Sequence, residues 1–328
     1  MLLPYFRRFG ATSGRVGVKA VALRFYTLDV FTRHRFAGNP LAVVLAADGL
    51  ADTTMQAIAR EFNLSETVFV VEPQDSVNTA KLRIFTPDRE LAFAGHPTIG
   101  TAALIAFLRA PDMIKGRELS LVLEEGVGPI TCAVWQDRAD LLRARFELPQ
   151  EPVQGDGPLD ISKMAAALGL EAHDIGFGTH VPGLWSAGNP LVFVPVHHAD
   201  VLGRLVPVRG LWDEAFGAAK GLAFIYALDS VADVPSFKAR MFFTTPELRE
   251  DPATGSAAAA FAGVMMRFES WQDGAHLVRI MQGEHMGRAS EIIVGLEIEG
   301  GTLTGASISG AAVIVSSGEM SYDQMVDG

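Results

Sequence analysis

Apolar residues cluster over 25–31, 41–45, 67–71 and 81–85, blocks rich in Val, Phe and Ile that predict strands. Asp52–Phe62 spaces its apolar positions differently: Met55, Ile58, Ala59 and Phe62 share one helical face, and Asp52 or Thr53 can cap the start. Residues 91–108 hold no Lys, Arg, Asp or Glu over 18 positions, which touches the length of a membrane span. Pro97 inside that stretch suits a first helical position better than a bilayer midpoint. A loop followed by a buried helix over 97–108 is therefore predicted. Blocks at 119–123, 130–135 and 141–146 predict a meander, with a turn at Gly126-Val127-Gly128-Pro129.

Residues 149–158 carry Pro149, Pro152, Gly155, Gly157 and Pro158 and are the natural linker. Beyond it the order recurs: a strand at 191–196, a helix at 211–219, strands at 221–228 and 237–243, then a helix at 252–266. Strands at 276–281, 291–298, 302–308 and 312–316 close the chain. Two strand-rich halves, each with two main helices, predict an α+β protein with mixed or antiparallel sheets, each sheet curved around an apolar helix.

The repetition reaches individual residues. His96-Pro97-Thr98-Ile99-Gly100-Thr101-Ala102-Ala103 returns 155 positions later as Asp251-Pro252-Ala253-Thr254-Gly255-Ser256-Ala257-Ala258. Arg83-Ile84-Phe85-Thr86-Pro87 precedes the first copy; Arg240-Met241-Phe242-Phe243 and Thr245-Pro246 precede the second. Ala37-Gly38-Asn39-Pro40 matches Ala187-Gly188-Asn189-Pro190. Similar halves with different polar groups at matching points predict a cleft between them holding an asymmetric site.

Composition narrows the class. The 328 residues suffice for two domains with full cores, and 49% hydrophobic against 20% charged residues is globular. A net charge of -11 gives no support to a nucleic-acid partner. The charge is uneven: Arg7, Arg8, Arg15, Lys19 and Arg24 are unopposed before Asp29, leaving 22 basic and 38 acidic residues (-16) for the rest. No apolar core with a small-residue cleavage site marks this head as a targeting peptide. Residues 1–23 are read as a basic extension, with the fold starting near Arg24. The single cysteine, Cys132, excludes an internal disulfide framework and fits a reducing compartment.

Both repeated turns place a proline at an expected first helical position, followed by backbone N–H groups at the positive end of the helix dipole. Gly100 and Gly255 leave room, and Thr101 and Ser256 add hydroxyls. Two such starts face to face would bind a small anion such as a carboxylate; each alone could equally be an ordinary cap. His96 stands where a cap is expected and could donate, accept or carry a proton, or bond only its own turn. Glu66 opens an otherwise apolar strand, Val68-Phe69-Val70-Val71, after Asn63, which can end the preceding helix in a left-handed conformation. Partial desolvation there would raise its pKa and suit proton removal and return; the alternative is a solvated strand end.

Other patterns fail. GxxxxGK[ST] and HExxH are absent, and Gly126-x-Gly128 and Gly176-x-Gly178 lack the rest of a dinucleotide fingerprint. Gly305-x-Ser307-x-Ser309 misses a nucleophile elbow's second glycine. His197-His198 and Glu284-His285 lack metal-ligand spacing, so no metal is assigned.

Taken in order, these segments resemble the PhzF (phenazine biosynthesis protein) family. The carriers are Asp29-Val30-Phe31, Phe36-Ala37-Gly38-Asn39-Pro40-Leu41-Ala42-Val43, Asn63-Leu64-Ser65-Glu66-Thr67, Arg83-Ile84-Phe85-Thr86-Pro87, Phe93-Ala94-Gly95-His96-Pro97-Thr98 and Asp251-Pro252-Ala253-Thr254-Gly255-Ser256-Ala257. The resemblance implies two pseudo-symmetric domains of the diaminopimelate-epimerase-like fold, over 24–148 and 149–310, with 311–328 a candidate return strand to the first. It implies a cofactor-free isomerase of a small anionic substrate, such as trans-2,3-dihydro-3-hydroxyanthranilate. In it Glu66 is the acid/base, His96 and Asp251 hold and polarise the substrate, and Gly95 and Ser256 contribute binding beside Gly255. It also implies a cytoplasmic homodimer without membrane partners. Epimerase and racemase relatives use a cysteine in each half, which one cysteine cannot supply. A carboxylate-based amino-acid epimerase and a non-catalytic anion-binding protein remain the alternatives.

Overall fold

A computed structural model describes residues 17–138, 141–157, 159–230, 234–244 and 247–326. The first half runs β1 (Gly17–Val30), β2 (Asn39–Val44), α1 (Asp52–Phe62), β3 (Glu66–Val71), β4 (Ala80–Phe85), β5 (Glu90–Leu91), α2 (Gly95–Arg109), β6 (Leu119–Glu125), β7 (Gly128–Arg138) and β8 (Leu141–Glu147). The second runs β9 (Val153–Gly155), α3 (Ile161–Leu168), β10 (Gly183–Ser186), β11 (Pro190–Pro195), α4 (Ala199–Arg204), α5 (Arg209–Phe216), β12 (Ala223–Leu228), β13 (Ser236–Thr244), β14 (Leu248–Asp251), α6 (Gly255–Phe268), β15 (Gly274–Gln282), β16 (Ser290–Glu299) and β17 (Thr302–Val326). The protein is α+β with a mixed sheet.

Strand pairing repeats between the halves. In the first, β2 is parallel to β3, β4 antiparallel to β3 and β5, and β4 parallel to β6, which leads antiparallel into β7. In the second, β11, β12, β13, β14, β15 and β16 take the same senses in the same order. β17 joins the two. Its start pairs with β16, Ser307 to Ala312 pair with β8, and Ala312 to Val326 run against β1. The return strand closes the first half into a ring of β1, β2, β3, β4, β6, β7, β8 and β17.

Each half holds one helix with almost no wet face. Twelve residues of α2 and ten of α6 are buried, so neither needs an amphipathic stripe. Each carries a single charge, Arg109 or Arg267, in its last turn and none along its buried length, because a buried unpaired charge costs far more than burial of Ile99 or Phe261 returns. α1 lies outside the ring and is amphipathic, burying Met55, Ile58 and Ala59 against Val44, Phe69 and Phe85.

Several boundaries differ from expectation. Among the described residues β1 already runs from Gly17, ahead of Arg24, its early residues held by backbone pairing with β17. Of the basic head, Arg7, Arg8 and Arg15 lie outside the described residues, as do Pro158 and the Thr245-Pro246 pair. Ala51 is the N-cap of α1; Asp52 is its first residue and pairs with Arg83 at 2.6 Å. Asn63 ends α1 in a left-handed conformation (φ 49°), as expected. The short helices α3 and α4 were not anticipated. α3 carried a readable signal, since Asp160 caps it and left-handed Gly169 ends it.

Candidate active site

Asn63 turns the chain so that Glu66 begins β3, paired in parallel with Leu41 of β2. Val68 and Phe69 beyond it are buried, and the Glu66 side chain retains only 16% exposure. Burial raises its pKa from 4.5 to about 8, and the nearby Asp251 carboxylate adds to the rise. A carboxyl with that pKa takes and gives a proton with similar ease near neutral pH.

His96 is the second residue of α2, and its Nε2 lies 3.3 Å from Glu66 Oε2. Burial lowers its pKa to about 3, opposed by a hydrogen bond to the Pro40 backbone. Proline offers only a carbonyl there, so the bond comes from an imidazole N–H, and Nδ1 is the nitrogen left to make it. Nε2 then presents a lone pair to Glu66. The contact is close enough for an ion pair, yet two facts argue against one. The imidazole is neutral, and neither Glu66 Oε2 nor His96 Nε2 meets hydrogen-bond geometry with any partner. Two buried polar atoms without partners, facing each other, are what a ligand-binding site leaves empty-handed.

Asp251 reaches the same place from the second half, as the last residue of β14. Burial raises its pKa to about 6 despite hydrogen bonds from Thr254 and Asn39 that favour the charged form. Asn39 Nδ2 donates to Asp251 Oδ1 at 3.0 Å and to Ala253 O at 2.8 Å, while Asn39 Oδ1 has no partner. Thr254 Oγ1 donates to Asp251 Oδ2. Gln282, fully buried at the end of β15, accepts from Thr254 N and donates to Asp251 O and Thr254 Oγ1.

The two buried helices meet by their first residues. A Cβ on Gly95 would lie 2.8 Å from Gly255 Cα and 3.5 Å from Ser256 N; one on Gly255 would lie 2.9 Å from Gly95 Cα and 3.3 Å from His96 N. Only glycine fits on either side. The positive ends of both helix dipoles, and first-turn N–H groups with no acceptor in their own helix, thus converge beside Glu66 and His96. All six candidate residues, Glu66, Gly95, His96, Asp251, Gly255 and Ser256, belong to this neighbourhood.

The local geometry corrects three expectations. α2 starts at Gly95 with Ala94 as N-cap, so His96 is inside the helix and Pro97 is its third residue. Proline is tolerated there because first-turn N–H groups lack helical acceptors anyway. α6 starts at Gly255 with Thr254 as N-cap, so Asp251 is not a cap and Pro252 is not helical. Pro252 holds Asp251 in extended backbone, which keeps it on β14. The helix starts therefore correspond at an offset of 160 (255 − 95), whereas the sequence echo aligned them at 155. Asn39, Thr254 and Gln282 were missed as site residues; Asn39 stood in the repeated Gly-Asn-Pro, whereas Gln282 carries no motif.

Among the described residues no group of three or more His, Cys, Asp or Glu could hold a metal ion, and no helix is long and apolar enough to cross a membrane. Cys132 is buried on β7, and burial pushes its thiol pKa up, so it remains protonated.

The family described as phenazine biosynthesis-like protein, PhzC-PhzF, matches residues 28–318. An uncharacterized isomerase of Mesorhizobium japonicum is 44% identical over 296 residues, covering 89% of this chain and 96% of the relative. The trans-2,3-dihydro-3-hydroxyanthranilate isomerase of Pseudomonas fluorescens is 32% identical, covering 90% and 98%. The crystal structure of a Bacillus anthracis phenazine biosynthesis protein of the PhzF family superposes with a TM-score of 0.79 at 25% identity, covering 92% and 99%. The chain belongs to the PhzC-PhzF family and, like its named relatives, is an isomerase.

Proposed function

We propose that this isomerase of the PhzC-PhzF family moves a proton between two carbons of a small carboxylate-bearing substrate resembling trans-2,3-dihydro-3-hydroxyanthranilate. The observation that carries the reading is the facing pair, Glu66 Oε2 and His96 Nε2, both unpartnered and 3.3 Å apart beside the two abutting helix starts.

The ionised Glu66 carboxylate removes a proton from a carbon next to an activating group. The C–H electron pair forms a new double bond to the neighbouring carbon, the original π pair shifts to the far carbon, and Glu66, whose carboxyl proton exchanges with solvent, protonates that far carbon. The substrate regains its charge balance with one double bond shifted. The helix starts at Gly95 and Gly255, with Ser256, hold the substrate carboxylate. Neutral His96 and Asp251 hold and polarise the reacting part, and Asn39 keeps Asp251 oriented. No cofactor is required by this sequence of steps.

The two-domain reading belongs to the same proposal. Residues up to 148, with the returning segment 311–328, form one diaminopimelate-epimerase-like domain, and 149–310 form the other, each a curved sheet around α2 or α6. It is supported by the repeated pairing senses and by the meeting of the helices at their first turns. By family resemblance the enzyme is assigned to the cytoplasm as a homodimer.

Proton NMR of the protein with trans-2,3-dihydro-3-hydroxyanthranilate in D2O, beside Glu66→Gln, tests the reading. Deuterium in a product with a shifted double bond, absent in the variant, is expected. Equal turnover by the variant would remove Glu66 from the mechanism. Inversion of one centre without a shifted double bond would make the protein an epimerase, and saturable binding without exchange would make it an anion-binding protein.

A further inference from the structure

A second buried acid lies behind the site. Glu125, 6% exposed, is the last residue of β6, and its pKa is raised to about 8 by burial. The Ala94 backbone and the Thr98 hydroxyl act in the opposite direction, favouring the charged form, and Thr98 Oγ1 bridges Glu125 Oε1 to the Ala94 carbonyl. Ala94 is the N-cap of α2, one residue before Gly95 and two before His96.

The second half contains its counterpart. β15 runs parallel to β13 as β6 runs parallel to β4, and its last residue is Gln282. Gln282 Oε1 accepts from the backbone N–H of Thr254, the N-cap of α6, at 3.2 Å. Each residue precedes a glycine packed on the chain two positions before that cap. A Cβ on Gly126 would meet Ala92 Cα at 2.8 Å, and one on Gly283 would meet Pro252 O at 2.6 Å. Strand, terminal side chain, tight glycine and held cap thus recur together. The side chains differ in one respect, an acid behind α2 and an amide behind α6.

The hydroxyl of Thr98 indicates how an acid fills an amide's place. Thr98 Oγ1 is 2.7 Å from Ala94 O and 2.6 Å from Glu125 Oε1. One hydroxyl proton cannot serve two acceptors at such distances. A proton on Glu125 Oε1 resolves the conflict: the acid donates to Thr98, and Thr98 donates to the Ala94 carbonyl. Glu125 Oε2 has no hydrogen-bond partner, which a neutral carboxyl tolerates at far lower cost than a buried carboxylate.

We propose that Glu125 and Gln282 are a matched pair of positioning residues, one behind each helix start, and that Glu125 holds the start of α2 as a neutral acid in the role Gln282 fills for α6. The holding role stands on geometry alone; its consequence for turnover rests on the function proposed above.

Hydrogen–deuterium exchange of the full chain tests it with Glu125→Gln, Glu125→Ala and Gln282→Ala. Glu125→Ala is expected to speed exchange at 95–99 by roughly tenfold or more, and Gln282→Ala to do so at 255–259. Glu125→Gln is expected to stay within about threefold of the parent, because an amide offers the same shape and can donate to Thr98. No local change in Glu125→Ala, or a uniform loosening without excess at 95–99, would overturn the pair. Equal damage from Gln and Ala would overturn the neutral acid. If Glu125→Ala does not fold, Thr98→Val takes its place, with the same local loosening expected and its absence counting against the proposal. The pH profile of substrate deuteration supplies the functional arm: Glu125→Gln keeps the Glu66 limb, and Glu125→Ala displaces it. A parent protein inactive on the substrate, with the exchange pattern as expected, would refute the proposed function and leave the pair standing.

Discussion

Replacing Gly95 with alanine perturbs the site without touching an ionisable group. The new methyl would stand 2.8 Å from Gly255 Cα and 3.1 Å from Gly255 C, where ordinary contact begins at 3.4 Å. The obstacle is backbone, so no side chain can turn aside. The helix starts must part by about 0.6 Å (3.4 − 2.8), and His96 moves with α2 relative to Asp251. Overpacking of this kind costs about 1–3 kcal/mol, a few degrees of melting temperature in a chain of this size. Misplacement of reacting groups approaching 1 Å costs about a hundredfold in rate, so a loss of ten- to hundredfold in kcat/KM is expected. Thermal unfolding and steady-state turnover of trans-2,3-dihydro-3-hydroxyanthranilate measure the two effects. Gly210→Ala is the control, a helical glycine with no atom within 4 Å of the added methyl. Gly255→Ala closes the same gap from the other side, so the double variant should lose less than the sum of the singles. A Gly95→Ala protein as stable and active as Gly210→Ala would refute the reasoning.

Glu66→Gln should lower kcat by about 10²–10⁴-fold, the usual contribution of a positioned acid/base, with a much smaller change in ligand affinity measured by calorimetry. Asn39→Ala should cost about 1–3 kcal/mol in denaturant unfolding, because the Ala253 carbonyl and Asp251 Oδ1 lose a buried donor, and should raise KM. Stability should fall as pH rises from about 5 to 8 in melts across that range. Glu66 and Glu125 bind protons in the folded state up to about 8 and Asp251 up to about 6, whereas the unfolded carboxyls release theirs near 4–4.5. His96 works in the opposite sense: its folded pKa of about 3 makes stability fall as pH drops below 6.5. Glu125→Gln should flatten the fall between pH 5 and 8, and a slope unchanged by that substitution would contradict a protonated Glu125.

Much of the architecture was legible locally. The charge-free run around Ile99 could only be a buried helix once Pro97 argued against a membrane span, and Asn63 marked the end of α1 with Glu66 beginning the next strand. The echoes at 38–40 and 188–190 marked a repeated unit whose pairing senses recur. The register of the echo misled because Pro97 and Pro252 look alike in sequence, yet one lies inside a helix and the other precedes one. Propensity constrains the neighbouring backbone; it does not decide which of several adjacent residues first finds a helical hydrogen-bond partner.

Spacing and polarity along the chain determined the order of the main strands, helix α1 and the two apolar helices, and Glu66, His96 and Asp251 as candidates for chemistry. Only the tertiary structure decided that these residues meet, that Asn39 and Gln282 support Asp251 and the α6 cap Thr254, and that Gly95 and Gly255 touch backbone to backbone. It also chose, for Glu66, the desolvated alternative over a solvated strand end, and set the directions at His96, Asp251 and Glu125. Desolvation depends on what surrounds a group from all sides, and for Glu66 those surroundings come from segments as distant in sequence as Leu41, His96 and Asp251.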